Sequence, residues 1–236
     1  MSESVTISKR DIWTAIWLSE NSLPGKAADM LRAFLVPESN VSKSTPGARK
    51  VAVVVGHNSK APGAFAEGPV NASEYQLNGE VADLMAKLAD DDEEIDLHVF
   101  RRQPLASYSA EILECYRRVN AWNPEMVIEL HFNWLAGAGR VEMVVFRDSQ
   151  AGEKVGQAFL DVCGAVFPGQ RRLLSRRGSD RGGKSLVSAK APCVLTECWD
   201  CSNSEHRAIV ARLGANRLAM LYFTAIKRAL STLDPS

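Results

Sequence analysis

The stretch VAVVVGHN at residues 51–58 decides the fold, because five consecutive apolar residues stopped by a glycine predict a buried strand that ends just before His57. Two other apolar runs end in the same way. MVIELHFN carries His131 at its end, and CVLTEC carries Glu197. Ligands of open α/β sheets bind outside the carboxyl ends of the strands, so three polar strand ends far apart in sequence predict one shared site.

Strands and helices alternate along the rest of this region. Such alternation is typical of an α/β fold in which a mainly parallel, twisted sheet is flanked by helices. Strands are predicted at 51–55, 95–101, 125–131, 140–146 and 192–197, and helices at about 74–90, 108–121, 150–166 and 203–231.

The N-terminal part is predicted to be separate from the main domain, which we expect at residues 50–236. Residues 1–37 carry apolar side chains at helical spacing on both sides of a Pro-Gly pair, which predicts a small helical hairpin. Residues 38–49 are rich in Ser, Pro and Gly and are predicted to be a linker. Trp13 and Trp17 suit either an anchor for a partner or packing against the main domain.

Composition excludes some classes of partner. The 28 basic and 28 acidic side chains cancel, so the overall charge gives no reason to expect binding to nucleic acid or to an anionic membrane. No stretch approaches the roughly 18 consecutive apolar residues of a membrane-spanning helix, and the first residues lack the pattern of a secretory signal. We therefore expect no integral membrane segment and synthesis in the cytoplasm.

The chain has only four histidines, which narrows the search for metal ligands. A hydrolytic zinc site takes three ligands from histidines and carboxylates and keeps a fourth position for water. His57 and His131 stand at strand ends and are the candidates, although for either one alone a loop histidine is the simpler interpretation. His98 lies inside the predicted strand IDLHVF, and His206 is expected on the surface of the last helix.

Two glutamates complete the candidate set. Glu74 opens the first helix after His57, so its carboxylate can face the same edge of the sheet. The spacing from Asn71 to Glu74 is also that of a capping box, which would assign the carboxylate to a backbone N–H, and the spacing leaves both interpretations open. Glu197 ends an apolar strand, where an unpaired carboxylate is costly to bury, so we expect it to have a function or a cationic partner.

Four blocks of the sequence combine a strand or helix with a candidate site residue. The first is VAVVVGHNSKAPGA, an apolar strand followed by Gly-His and a Gly-Ala turn. The second is SEYQLNGEVADLMAKL, a glutamate that opens a helix with an asparagine nearby. The third is the strand end IELHFN, and the fourth is APCVLTECWDCSNSEH, with its Pro-apolar-Leu-x-Glu pattern. Over about residues 50–230 these blocks resemble, in the same order, those of the zinc-dependent N-acetylmuramoyl-L-alanine amidases of bacterial cell-wall turnover and phage endolysins.

The resemblance implies a zinc hydrolase. Zn²⁺ would be held by His57, Glu74 and His131, while Glu197 would take a proton from water and hand it to the departing amine. The substrate would be peptidoglycan, cut at the amide between the lactyl group of N-acetylmuramic acid and the L-alanine of the stem peptide. Asn133, in the third block, is a candidate substrate-binding residue.

The sequence departs from the family pattern at several positions. Glu129 replaces the usual serine two residues before the second histidine, and Trp199-Asp200-Cys201 replaces the usual Gly-Phe-Leu. The turn after His57 also lacks the usual Gly-Gly. These differences concern the rim of the substrate pocket more than the three ligands.

Two further segments allow more than one interpretation. RRLLSRRGSDRGGKS, at residues 171–185, is most simply a solvated loop, but Arg176 and Arg177 could bind carboxylates of the stem peptide through their forked donors. Cys198 and Cys201 form a CxxC pair that lacks a thioredoxin-like context, so we interpret both as structural thiols and leave open a disulfide between them after export.

Without a secretory signal, such an enzyme would most resemble an endolysin that waits in the cytoplasm and acts on the wall after release, with the N-terminal helices contacting wall or protein. A zinc carboxypeptidase or an acyl-amino-acid amidohydrolase could use similar ligands and would need an arginine for a free substrate carboxylate. A non-catalytic wall-binding module would be expected to have lost one of the four key residues, and all four are present.

Overall fold

The computed structural model describes residues 47–233. The predicted hairpin at 1–37, and the predicted linker as far as residue 46, lie outside the described residues. The first described strand begins at Arg49, two residues before the expected start.

Eight strands and five helices make up the described part of the chain. The strands are β1 (Arg49–Val55), β2 (Phe65–Ala66), β3 (Ala72–Ser73), β4 (Ile95–Arg101), β5 (Met126–Asn133), β6 (Arg140–Phe146), β7 (Gln170–Arg176) and β8 (Cys193–Asp200). The helices are α1 (Glu74–Asp90), α2 (Tyr108–Trp122), α3 (Gln150–Val166), α4 (Gly183–Ser188) and α5 (Ser204–Leu233).

Six of the strands form one sheet in the order β4-β1-β5-β8-β6-β7, and β2 pairs with β3 separately. Strands β4, β1, β5 and β8 run parallel, whereas β6 is antiparallel to β8 and parallel to β7. The predicted α/β class with a mainly parallel sheet is confirmed. The carboxyl ends of β1, β5 and β8 therefore lie at one edge, where the three polar strand ends meet.

The two faces of the sheet carry different helices, because side chains alternate along each strand. Val53, Ile128 and Val194 belong to a large core with helices α1, α3 and α5. Val54 and Val127 belong to a smaller core on the opposite face, with α2 and α4. In β5 and β8 the candidate site residues lie an even number of positions from the side chains of this smaller core. They therefore lie on the same face of the sheet, the face covered by α2.

Helix α5 is the one described helix that is long and apolar enough to cross a membrane, judged by length and composition alone. Its buried Leu218, Tyr222 and Ile226 belong to the large core. Gly214 breaks its helical geometry with a φ of 64°. Of its apolar window 33% is buried, so one face of the helix packs in the core.

Two expectations about the second half of the chain were wrong. The arginine-rich segment is not simply a loop, because residues 170–176 form the edge strand β7 and residues 183–188 form α4. In this edge strand the adjacent Arg171 and Arg172 are both exposed and the adjacent Leu173 and Leu174 are both half-buried, so the sequence shows no period of two.

His206 was expected on a helix surface but is fully buried. Its Nδ1 accepts the backbone N–H of Asp200 at 2.9 Å, and its Nε2 lies 2.7 Å from the carbonyl oxygen of Pro168. These two contacts define a neutral ring protonated at Nε2. The imidazole therefore ties the end of β8 to the segment before β7.

Replacing His206 with alanine should lower the free energy of unfolding by about 2–4 kcal/mol, since it leaves two backbone groups without partners and opens a cavity. The matched control is His98→Ala, at an exposed position of β4, which should cost less than about 1 kcal/mol. Urea unfolding of both variants measures the difference. Equal losses would contradict the assigned role of His206.

Candidate metal centre

His57 follows β1 in a constrained backbone conformation. Its φ is 66°, in the left-handed region that few non-glycine residues adopt and that is enriched at functional sites. A side chain on the preceding Gly56 would overlap the ring of His131 and the carbonyl oxygen of Leu130. The glycine at this position therefore lets the turn after β1 pass close to β5, which brings the two histidine rings to a centroid distance of 5.0 Å.

Glu74 is the first residue of α1, but it does not cap the helix. Ser73 and Gln76 form the capping box, which leaves the Glu74 carboxylate free to turn towards the edge of the sheet. Its Oε1 accepts the backbone N–H of Phe132 at 3.1 Å, and its Oε2 accepts that of Ala64 at 3.2 Å. Only 3 % of the residue is exposed. The carboxylate is thus fixed in place from both sides.

The Glu74 carboxylate lies between the two histidines. Oε1 is 2.6 Å from His131 Nδ1, and Oε2 is 3.2 Å from His57 Nε2. Gly63, with a φ of 79°, closes the cluster, since a side chain there would meet both His57 and Glu74. The structure therefore brings together the three predicted ligands, and their donor atoms lie within 4.8 Å of one another.

This donor set fits a zinc ion. Two imidazole nitrogens and one carboxylate oxygen are a recurrent ligand set of catalytic zinc sites, in which the fourth position is left for water or substrate. Tetrahedral bonds of about 2.0–2.1 Å place neighbouring ligand atoms about 3.3 Å apart. The 3.2 Å separation of His57 Nε2 and Glu74 Oε2 matches this spacing, whereas the 2.6 Å separation of His131 Nδ1 and Glu74 Oε1 is shorter and would have to widen around a metal.

The electrostatics of the cluster favour a carboxylate anion. Burial alone would raise the pKa of Glu74, but hydrogen bonds from His131 and His57 outweigh it and lower the pKa to about 2. Burial disfavours the charged form of His131, yet its contacts with Glu129 and Glu74 raise the pKa of the ring to about 10. The carboxylates of Glu74 and Glu129 therefore favour a positive charge on the ring of His131 between them.

Glu197 stands beside this cluster. It pairs in register with His131 across β5 and β8, and its Oε2 is buried with no hydrogen-bond partner among the described residues. Burial raises the pKa of Glu197 to about 8; the charge of His131 opposes this rise, while those of Glu74 and Glu142 add to it. A carboxyl with a raised pKa and an unpaired oxygen is suited to exchange a proton.

The sequence of this chain matches a known protein family. The sequence profile described as N-acetylmuramoyl-L-alanine amidase matches residues 51–228. The chain belongs to the N-acetylmuramoyl-L-alanine amidase family. It is accordingly an enzyme, an amidase whose substrate is peptidoglycan. A comparison with curated proteins finds no match.

Solved structures support the same assignment. The catalytic domain of the CD27L endolysin, which targets Clostridia difficile, is 26% identical with a TM-score of 0.61, and the match covers 78% of this chain and 97% of that one. An N-acetylmuramoyl-L-alanine amidase from Clostridium difficile 630 is 15% identical with a TM-score of 0.63, covering 80% and 100%. The catalytic domain of CwlV from Bacillus (Paenibacillus) polymyxa var. colistinus is 14% identical with a TM-score of 0.61, covering 78% and 98%. The last two share the fold of the amidase.

Glu142 is a site residue that the sequence did not reveal. It pairs in register with Glu197 across β6 and β8, and its Oε2 accepts a hydrogen bond of 3.0 Å from Asn133 Nδ2. Arg172 on β7 lies next in the same row, with Nη1 3.6 Å from Glu142 Oε1. Only the strand register joins these residues, and no sequence pattern carried that information.

The predicted substrate-binding arginines lie elsewhere. Arg176 ends β7 and pairs with Phe146, four register positions beyond the pair of Arg172 and Glu142. Arg177 is exposed and donates its backbone N–H to Asp180. Asn133 lies two residues after His131 at the end of β5, whereas neither Arg176 nor Arg177 belongs to the cluster of His57, Glu74 and His131.

The cysteines of the CxxC pair are buried free thiols and lie outside the metal cluster. Sγ of Cys198 is 2.8 Å from Sγ of Cys163 on α3, so its neighbour is not Cys201. Burial raises the pKa of Cys201 to about 12, which keeps that thiol protonated and unreactive. These features agree with the structural role expected for both residues.

Glu197→Gln should stabilise the metal-free amidase at neutral and alkaline pH. A carboxyl that binds its proton more tightly in the folded state loses stability as the pH rises from about 4.5 to about 8, and glutamine does not titrate. The melting temperature of the variant should therefore exceed that of the wild type at pH 8, and the two should converge near pH 4.5. Thermal unfolding in the presence of a chelator measures this, and a variant less stable at pH 8 would contradict the environment assigned to Glu197.

Proposed function

We propose that the amidase is a zinc enzyme in which His57, Glu74 and His131 hold the metal and Glu197 is the catalytic residue. The observation that carries this proposal is the convergence of three donor side chains, from the turn after β1, from α1 and from β5, whose ligand atoms lie within 4.8 Å of one another. Two further observations support it. Two histidines and one glutamate are a known ligand set of catalytic zinc sites, and Glu197 pairs in register with His131.

Each residue then has a defined task in amide hydrolysis. Bound zinc supplies Lewis acidity, which polarises the amide carbonyl and makes a water more acidic. Glu197 accepts the proton of the attacking water and later donates it to the departing amine of L-alanine. Burial raises the pKa of Glu197, which makes its carboxylate form a stronger base towards the attacking water. The bond that breaks joins the lactyl carbonyl of N-acetylmuramic acid to the nitrogen of L-alanine.

Substrate contacts are proposed at two places. Asn133 is half-buried, donates to Glu142, and is proposed to present its amide to the sugar or peptide. Arg176 and Arg177 are proposed to meet carboxylates of the stem peptide farther from the metal, because guanidinium groups bind carboxylates with two parallel hydrogen bonds. A stem peptide is long enough to reach beyond the cluster.

We further propose that the amidase works as an endolysin that acts on the cell wall after release from the cytoplasm. The support is the likeness to the CD27L endolysin catalytic domain, 26% identical over 97% of that chain. The proposed contact of the N-terminal residues with wall or protein belongs to the same interpretation.

Digestion of purified peptidoglycan by zinc-loaded protein tests the proposed reaction. Mass spectrometry should detect free stem peptides that begin with L-alanine, together with glycan strands that keep their lactyl groups. Shortened peptides still attached to muramic acid would instead indicate a carboxypeptidase or another peptidase. Removal of metal by a chelator should abolish release, and addition of Zn²⁺ should restore it.

Substitutions at Glu197 and His57 should separate metal binding from chemistry. Glu197→Ala should keep about one zinc per chain and lose at least about 100-fold in turnover, since only proton transfer is removed. His57→Ala should lose both zinc and turnover. Metal content by mass spectrometry and peptide release from peptidoglycan provide the two measurements. A fully active Glu197→Ala protein would refute the assigned role.

The double substitution Arg176→Ala and Arg177→Ala should raise KM for muropeptides and leave kcat nearly unchanged, because the lost contacts bind substrate and transition state equally. Muropeptides whose stem carboxylates are amidated should show a smaller difference between variant and wild type. An unchanged KM on the carboxylate form would remove these arginines from the substrate site.

A further inference from the structure

A second buried carboxylate lies on the far side of His131 from Glu74. Oε1 of Glu129 is 3.1 Å from His131 Nε2, while Glu74 Oε1 is 2.6 Å from Nδ1 of the same ring. Glu129 lies two residues before His131 on β5, on the same face of the sheet. The imidazole is therefore held between two carboxylates, and only Glu74 belongs to the metal cluster.

Glu129 is itself fixed by two residues of the α2 side. The hydroxyl of Tyr116 donates to Glu129 Oε2 at 2.7 Å, and Nη2 of Arg102 lies 3.4 Å from Oε1. The side chains of Glu129 and Arg102 are both fully buried, at 0% exposure. A buried carboxylate without a partner is costly, so the guanidinium of Arg102 keeps Glu129 an anion in this environment.

Contact with this anion determines which nitrogen of His131 can bind a metal. Both ring nitrogens lie within hydrogen-bond distance of a carboxylate, and a carboxylate only accepts hydrogen bonds. When Nδ1 binds a metal beside Glu74, Nε2 keeps its proton and donates it to Glu129. The lone pair of Nδ1 is then available on the side of the ring that faces Glu74. A hydrogen bond from the second ring nitrogen to a carboxylate also orients a ligand histidine and makes it more basic.

Other roles for Glu129 do not fit its surroundings. It is fully buried, so it cannot touch peptidoglycan, and it approaches the ring nitrogen opposite to the one that faces the cluster. Both of its oxygens already have partners. It differs in this from Glu197, whose Oε2 has none among the described residues.

We propose that Glu129 is a positioning residue of the zinc centre, which holds His131 in the tautomer and orientation that bind the metal, and that Arg102 and Tyr116 hold Glu129 in turn. This inference rests on the proposed function, since it assumes that His131 binds zinc. Glu129, at the position where the amidase family usually has a serine, thereby has a role in the zinc centre.

The test is the affinity for Zn²⁺, measured by competition with a chromophoric chelator. Glu129→Gln keeps the volume but removes the charge, and should weaken zinc binding about 10- to 100-fold. The matched control is Glu125→Gln, just before the same strand, where the carboxylate is half-exposed and pairs with Arg49. The control should bind zinc within twofold of the wild type.

A double variant separates positioning from general loss of stability. Glu129→Gln leaves the Arg102 charge buried without a counter-ion, so the single variant should melt at a lower temperature than the wild type. Adding Arg102→Met removes that charge and should recover melting temperature without recovering zinc affinity. A double variant that binds zinc as tightly as the wild type would overturn the proposal, even if the single variant fails to fold.

A spectroscopic measurement reports on the ring itself. Long-range ¹H–¹⁵N correlation spectra of the zinc-loaded wild type should show His131 protonated at Nε2, and the Glu129→Gln variant should lose this single protonation pattern. An unchanged spectrum and affinity in the variant would overturn the role of Glu129 alone. A wild type that fails to bind zinc at one ion per chain would overturn the proposed zinc centre as well.

Discussion

The site depends on one buried carboxylate, that of Glu74, which lies between two imidazole rings. Its two oxygens face His131 Nδ1 and His57 Nε2, and each also accepts a backbone N–H. Several local features exist to permit this arrangement. Ser73 and Gln76 form the capping box of α1, so the Glu74 carboxylate is not needed to cap the helix. Positions 56 and 63 are glycines, and any side chain there would collide with the cluster.

The fold was predictable from sequence wherever an element has a buried face of its own. Apolar runs located β1, β5 and β8, and their polar ends identified His57, His131 and Glu197. Edge strand β7 was missed because its exposed arginines mask the period of two, and His206 was misplaced because its burial depends on backbone groups far away in sequence. Glu142 could not be found at all, since only the pairing of β6 with β8 puts it beside Glu197.

The site also shows how charge is arranged in a buried environment. Glu74 and Glu129 flank His131, Arg102 offsets the second carboxylate, and Glu197 stands apart with its pKa raised to about 8. Carboxyl groups within one small region thus have pKa values shifted in opposite directions. Those with cationic or hydrogen-bonding partners stay anionic, and the one with an unpaired oxygen holds its proton, which separates ligand roles from proton transfer.

The central claim is that these residues form a zinc centre with His131 bound through Nδ1. Anomalous diffraction at the zinc edge, from crystals of the zinc-loaded amidase, tests it most directly. The account predicts one strong peak about 2.0–2.2 Å from His57 Nε2, a Glu74 oxygen and His131 Nδ1, with Nε2 of His131 still bonded to Glu129. A peak bound through His131 Nε2, a peak at the buried thiols, or no peak at the cluster would contradict it.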